Sequence, residues 1–95
     1  MYMNGNFECY AEKTDWTPSD EAEVLKMQSE HRAELAKTIT CVGLLVDLSM
    51  DQHVNVREGV AQNPCTPLGT LKRLSEQDLC SSVQDAAKNT LSALI

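Results

Sequence analysis

Four cysteines and two histidines are the residues of this chain best suited to metal, redox or nucleophilic chemistry. Cys9, Cys41, Cys65 and Cys80 stand 32, 24 and 15 residues apart, and no C-x-x-C pair occurs. His31 and His53 are far from each other and form no local ligand pair. Zinc and iron–sulfur sites draw at least two ligands from a spacing that a single turn can present. This pattern therefore predicts no metal site and no cofactor, and the cysteines read as reduced thiols acting as small apolar residues. A cysteine–histidine nucleophilic pair is assembled by a fold rather than by sequence adjacency. Catalysis also needs a lined pocket that excludes water, whereas 95 residues of short helices offer grooves more readily. The expectation is a protein that is not an enzyme, with no catalytic, cofactor-binding or metal-ligating residue.

The charge pattern narrows the partners. Asp and Glu number 14 against 8 Lys and Arg, for a formal charge of −6. Nucleic acids and anionic membranes select clustered Lys and Arg, so no direct nucleic-acid and no membrane partner is expected. The longest apolar stretch, Cys41-Val42-Gly43-Leu44-Leu45-Val46, is far short of the roughly 20 residues that cross a bilayer. No basic segment followed by an apolar one is visible at the N-terminus, so the expected location is cytoplasmic. Asp15, Asp20, Glu21 and Glu23 form an acidic cluster. It reads either as a solvated helix start that suits the helix dipole or as a face for a basic partner.

All four aromatic residues, Tyr2, Phe7, Tyr10 and Trp16, fall in the first sixteen positions. Asn4-Gly5-Asn6 is a turn signal, and no sustained period follows it. Residues 1–16 read as an irregular, aromatic-bearing arm, and residues 17–95 as one helical domain. The arm aromatics either anchor in a partner's pocket, since interface hot spots favour Trp and Tyr, or fold back and thicken a thin core.

Thr17-Pro18-Ser19-Asp20-Glu21 predicts a helix start, with Thr17 as cap and Pro18 in the first turn. Val24, Gln28, His31, Leu35 and Ile39 then follow at helical spacing, which predicts one long helix over 18–36. His31 is expected half-buried on that stripe and His53 exposed.

From residue 42 the sequence repeats. At an offset of 26, Gly43/Gly69, Leu45/Leu71, Leu48/Leu74 and Ser49/Ser75 are identical and Val42/Leu68 is conservative. One residue further in offset, Asp51 matches Asp78, Val56 matches Val83, and Arg57-Glu58-Gly59 faces Gln84-Asp85-Ala86. A fixed period of this length marks stacked supersecondary units. Each unit reads as two short helices, at 40–49 and 52–62 and again at 67–76 and 79–93. Asp51 and Asp78 stand where second-helix caps are wanted, Thr66 is the expected cap of the 67–76 helix, and Pro67 its first residue. Arg57, Glu58, Lys72 and Arg73 read as a charged face, serving solubility or specificity. Short helices gain stability by stacking, and a homodimer is one way to cover an open end.

Val56-Arg57-Glu58-Gly59-Val60-Ala61-Gln62-Asn63-Pro64-Cys65-Thr66-Pro67, with Leu68, Leu71, Leu74 and Ser75 after it, resembles the variant leucine-rich repeat, V-R-x-x-V-A-x-N-P-x-T-P-x-x-x-L-x-x-L-A. The resemblance covers about residues 45–90, and Asn89-Thr90 stands where a second Asn-Pro is sought. It implies a HEAT-like, right-handed superhelix of short helices and a habit of protein binding, without catalytic residues. The iron–sulfur cysteine cluster described in one member of that family has no counterpart, because Cys9 is alone in the first forty residues.

Together these readings predict an all-α chain of five helices, a short right-handed superhelix of stacked pairs behind an irregular arm. The expected function is a small non-enzymatic protein-binding or assembly module, self-associating or bound to another protein. The alternative is an acidic regulator that occupies the basic groove of a nucleic-acid-handling protein. The expected contact residues are Phe7, Tyr10, Trp16, Leu91, Leu94 and Ile95.

Overall fold

The computed structural model describes residues 13–94, and within them the secondary structure is entirely helical. Helix α1, Pro18–Leu25, starts with a reciprocal cap. The Asp20 N–H donates to Thr17 Oγ1 at 3.2 Å and the Thr17 N–H donates to Asp20 Oδ2 at 3.1 Å. Two backbone donors at the helix start are thereby satisfied. The Thr17 N–H holds the Asp20 carboxyl below its ordinary range, with Lys13 adding to that effect.

The long helix expected over 18–36 is two helices. After Leu25 the chain tightens, with Lys26 N–H bonded to Glu23 O at 3.2 Å and Met27 N–H to Val24 O at 3.0 Å. Gln28 is extended, and α2 runs Ser29–Ala36. No proline or glycine marks this break. At the break Arg32 folds back so that Nη1 donates to the Met27 carbonyl, a group that a continuous helix would have used internally. Val24 and Leu35, one on each side of the break, are both fully buried.

Helices α3, Val42–Leu48, α4, Val54–Gln62, α5, Leu68–Gln77, and α6, Ser81–Leu94, follow. Their bounds depart from the sequence expectation by one or two residues, the ordinary scale of fraying ends. The turn before α5 differs in chemistry. Pro67 itself is the N-cap residue, and Thr66 turns away from α5, donating Oγ1 to the Val60 carbonyl at 2.8 Å. Thr66 thus closes the end of α4 rather than opening α5.

Helix α4 packs against α2 on one side and α6 on the other, while α5 packs on α6 and α3 touches both α4 and α2. The core is aliphatic throughout. Leu35, Ile39, Leu44, Leu45, Leu48, Val56, Val60, Leu71 and Val83 have no exposed surface. Leu45 and Leu71, partners in the sequence repeat, are both at 0% exposure, while Gly43 and Gly69 are both exposed. The Cα radius of gyration is 12.7 Å, close to the value of about 12 Å expected for a folded chain of this length.

Gly59 fixes the approach of α4 to α2. A Cβ built on it would lie 2.6 Å from the Ala33 carbonyl oxygen and 3.0 Å from Ala36 Cβ. Backbone cannot yield as a side chain does, so the two helices sit at this distance only because residue 59 has no side chain.

Candidate protein-contact surface

The polar framework is built from two rungs of the same design. In the first, Arg32 on α2 donates Nε to Asp51 Oδ2 at 2.9 Å and Nη2 to Asp51 Oδ1 at 3.4 Å. In the second, Arg57 on α4 donates Nε to Asp78 Oδ2 at 2.9 Å and Nη2 to Asp78 Oδ1 at 3.4 Å. The third nitrogen of each arginine reaches a backbone carbonyl, Met27 for Arg32 and Asp51, at 2.7 Å, for Arg57. Gln84 on α6 takes the corresponding place without a charge, donating Nε2 to the Asp78 carbonyl at 2.6 Å. These are bidentate, largely dehydrated pairs, and their geometry makes them firmer than surface ion pairs.

Each aspartate also organises its own connector. Asp51 Oδ1 accepts the His53 N–H at 2.9 Å, and Asp78 Oδ1 accepts the Cys80 N–H at 3.0 Å. Neither acid is the N-cap residue that the sequence suggested. Both make the i to i+2 turn bond of an Asx turn just outside the helix. Burial raises the Asp51 carboxyl, but the His53 N–H, the Arg32 guanidinium and the His53 ring together bring it below its ordinary value. Hydrogen bonding to Asp78 raises the Arg57 guanidinium despite its burial.

A second set of bonds ties the far ends of the helices. Asn63 is buried, donates Nδ2 to Ala36 O at 2.9 Å and to Ile39 O at 2.8 Å, and accepts the Cys65 N–H at 2.8 Å. Thr90 does the related work one layer on, donating Oγ1 to Ala61 O at 2.6 Å. The structural counterpart of Asn63 is therefore Thr90, and Asn89, which the sequence placed there, is exposed.

This framework leaves an open groove of about 350 Å³ between α2 and α4. Ala33 and Gly59 form its floor, and Glu30, Glu34, Lys37, Asn55, Glu58 and Gln62 line it. Lys37 pairs with Glu34 at 3.3 Å. Glu30 and Glu58 have no ion-pair partner among the described residues. The groove thus offers carboxylates and side-chain amides over a small-residue floor. It holds no cysteine or histidine, and no group of His, Cys, Asp or Glu among the described residues is arranged to hold a metal ion.

Of the residues expected to make contacts, Trp16, Leu91 and Leu94 are among the described residues. Trp16 packs against the core and donates Nε1 to Lys13 O at 3.1 Å, as the core-filling reading has it. Leu91 is half-buried and lines an apolar cleft with Leu68, while Leu94 is 43% exposed. Phe7, Tyr10 and Ile95 lie outside the described residues. Arg57 and Arg73, expected on a charged face, are engaged inward, Arg73 Nη2 bonding Ser49 Oγ at 2.5 Å. His53 is only half exposed and is drawn into the first rung. Cys41 and Cys80 are half-buried and Cys65 is exposed, so Cys65 does not act as an apolar filler. Burial pushes the Cys41 thiol up, with Glu21 nearby acting in the same direction.

Sequence reasoning missed Arg32 and the groove residues Glu30 and Glu34, while Glu58 was read as part of a charged face. A signal for Arg32 existed: Arg32-Ala33-Glu34-Leu35-Ala36 repeats the R-x-x-aliphatic-Ala spacing of Arg57-Glu58-Gly59-Val60-Ala61. No described helix is long and apolar enough to cross a membrane. The chain matches no protein-family model, no curated protein and no solved structure.

Proposed function

We propose that this chain is a small non-enzymatic protein-binding module, built as a short right-handed superhelix of stacked helix pairs of the variant leucine-rich repeat kind. The pairs are α1–α2, α3–α4 and α5–α6. The duplicated rungs, Arg32–Asp51 and Arg57–Asp78, support the stacking. The observation that carries the binding role is the α2–α4 groove, where Glu30 and Glu58 have no ion-pair partner among the described residues and stand beside the amides of Asn55 and Gln62. Such a surface favours a Lys- or Arg-bearing segment of another protein. The same carboxylates favour, as a second reading, the acidic regulator of a nucleic-acid-handling protein. Self-association is the remaining form of the assembly role, through the apolar cleft of Leu68 and Leu91.

The test is light scattering together with affinity capture of partners by the full chain and by a Glu30→Gln/Glu34→Gln/Glu58→Gln variant. The groove reading predicts a monomer whose captured partner is lost from the triple variant and weakens as salt rises. A partner retained equally by the variant overturns the groove reading. A dimer with no captured partner moves the role to self-association.

A further inference from the structure

His53 Nδ1 lies 3.1 Å from Asp51 Oδ1 and 3.2 Å from Arg32 Nη2. A guanidinium only donates and an ionised carboxylate only accepts, so this one nitrogen serves one neighbour at a time. The second rung indicates which. There Cys80 occupies the place of His53, its N–H bonded to Asp78 Oδ1 and its Sγ facing Arg57 Nη2 at 3.6 Å as an acceptor. A neutral His53 with its proton on Nε2 does the same for Arg32. The groups around the ring are Asp51 on its own connector and Arg32 from α2, with Arg57 from α4 bonded to the Asp51 carbonyl behind them.

We propose that His53 is a proton-operated latch: protonation takes away the acceptor that Arg32 uses, turns Nδ1–H toward Asp51, and loosens the α2 junction while the cysteine-built α4–α6 junction is unaffected. With a neutral imidazole, one guanidinium faces one carboxylate in this cluster. After protonation two cations share one carboxylate, Asp51, whose Oδ1 already holds the His53 N–H. Histidine is the side chain that makes such a change near neutral pH. The two rungs act as internal controls for each other, since they differ chiefly in this residue.

The experiment uses the full chain. Imidazole nitrogen NMR at about pH 8 reads the tautomer, and hydrogen exchange, corrected for intrinsic rates, compares α2 with α6 at about pH 8 and about pH 5.5. The expected result is the Nε2–H tautomer at the higher pH. On acidification, protection of α2 should fall about threefold or more relative to α6, and His53→Cys or His53→Gln should abolish that fall while His31→Gln retains it. An Nδ1–H tautomer at the higher pH overturns the proposal. So does a protection ratio independent of pH, or a fall that survives His53→Cys.

Discussion

Asn63 donates Nδ2 to the carbonyl of Ala36 at 2.9 Å, closing the end of a helix 27 residues earlier in the chain. The same amide reaches Ile39 O, and its oxygen takes the Cys65 N–H. Removing it strands the carbonyls of two buried residues, Ala36 and Ile39, and takes a partner from the Cys65 N–H. Asn63→Ala is expected to cost about 2–3 kcal/mol, since an unsatisfied buried group carries its full desolvation penalty. Asn63→Asp is expected to cost more, because a carboxylate would face two carbonyls. Asn63→Thr keeps a donor, as Thr90 does, and should be the mildest. Urea unfolding of the three variants checks the order.

Arg57 can be shortened in charge without losing its reach. Arg57→Gln retains an amide for the Asp51 carbonyl, the contact that Gln84 makes to Asp78 O. It loses the pair with Asp78, whose side chain is 5% exposed. Arg57→Ala loses both and leaves the Asp78 carboxylate uncompensated, for about 3 kcal/mol or more. The glutamine variant is expected to unfold at a denaturant concentration between those of wild type and alanine. Equal midpoints for the two variants would contradict the assignment of two separable contacts.

Gly59→Ala sets two effects against each other. Helix propensity favours alanine by about 1 kcal/mol. The added Cβ meets the Ala33 carbonyl oxygen at 2.6 Å, which forces α4 away from α2, and such overpacking costs about 1–3 kcal/mol. Net destabilisation is expected, along with a shift of amide resonances at Ala33 and Ala36. Gly69→Ala, where a Cβ meets nothing within 4 Å, is expected to be neutral or stabilising.

Acid should weaken the first rung. The folded Asp51 carboxyl titrates below its ordinary value, so its contribution is fully present above the unfolded value of about 4 and is lost as pH falls through the folded value. Asp51→Asn should therefore lower stability at neutral pH and flatten the stability curve below about pH 4. A variant curve parallel to wild type through that range would show that Asp51 contributes nothing to acid sensitivity.

The helices of residues 42–94 were legible because local signals agreed there. Apolar pairs recurring at an offset of 26, Asp51 and Asp78 at 27, and the single Asn63-Pro64 and Pro67 punctuation all marked out the same short helices. The break after Leu25 was illegible because no breaker residue announces it, and the Arg32 bond that takes up the freed Met27 carbonyl is not readable from residue type. The groove was hidden for a related reason. Glu30 and Glu58 are 28 positions apart and become neighbours only when Gly59 lets α4 settle against Ala33. Thr66 shows the limit of capping rules, since a hydroxyl ahead of a proline can equally serve the helix behind it.

The central claim is that the two rungs are copies of one joint between like building blocks. Double-mutant cycles on Arg32/Asp51 and Arg57/Asp78, by urea unfolding at about pH 8, test it most directly. The account predicts favourable coupling at both sites, matching within about 1 kcal/mol. Strong coupling in one cycle and none in the other would contradict it.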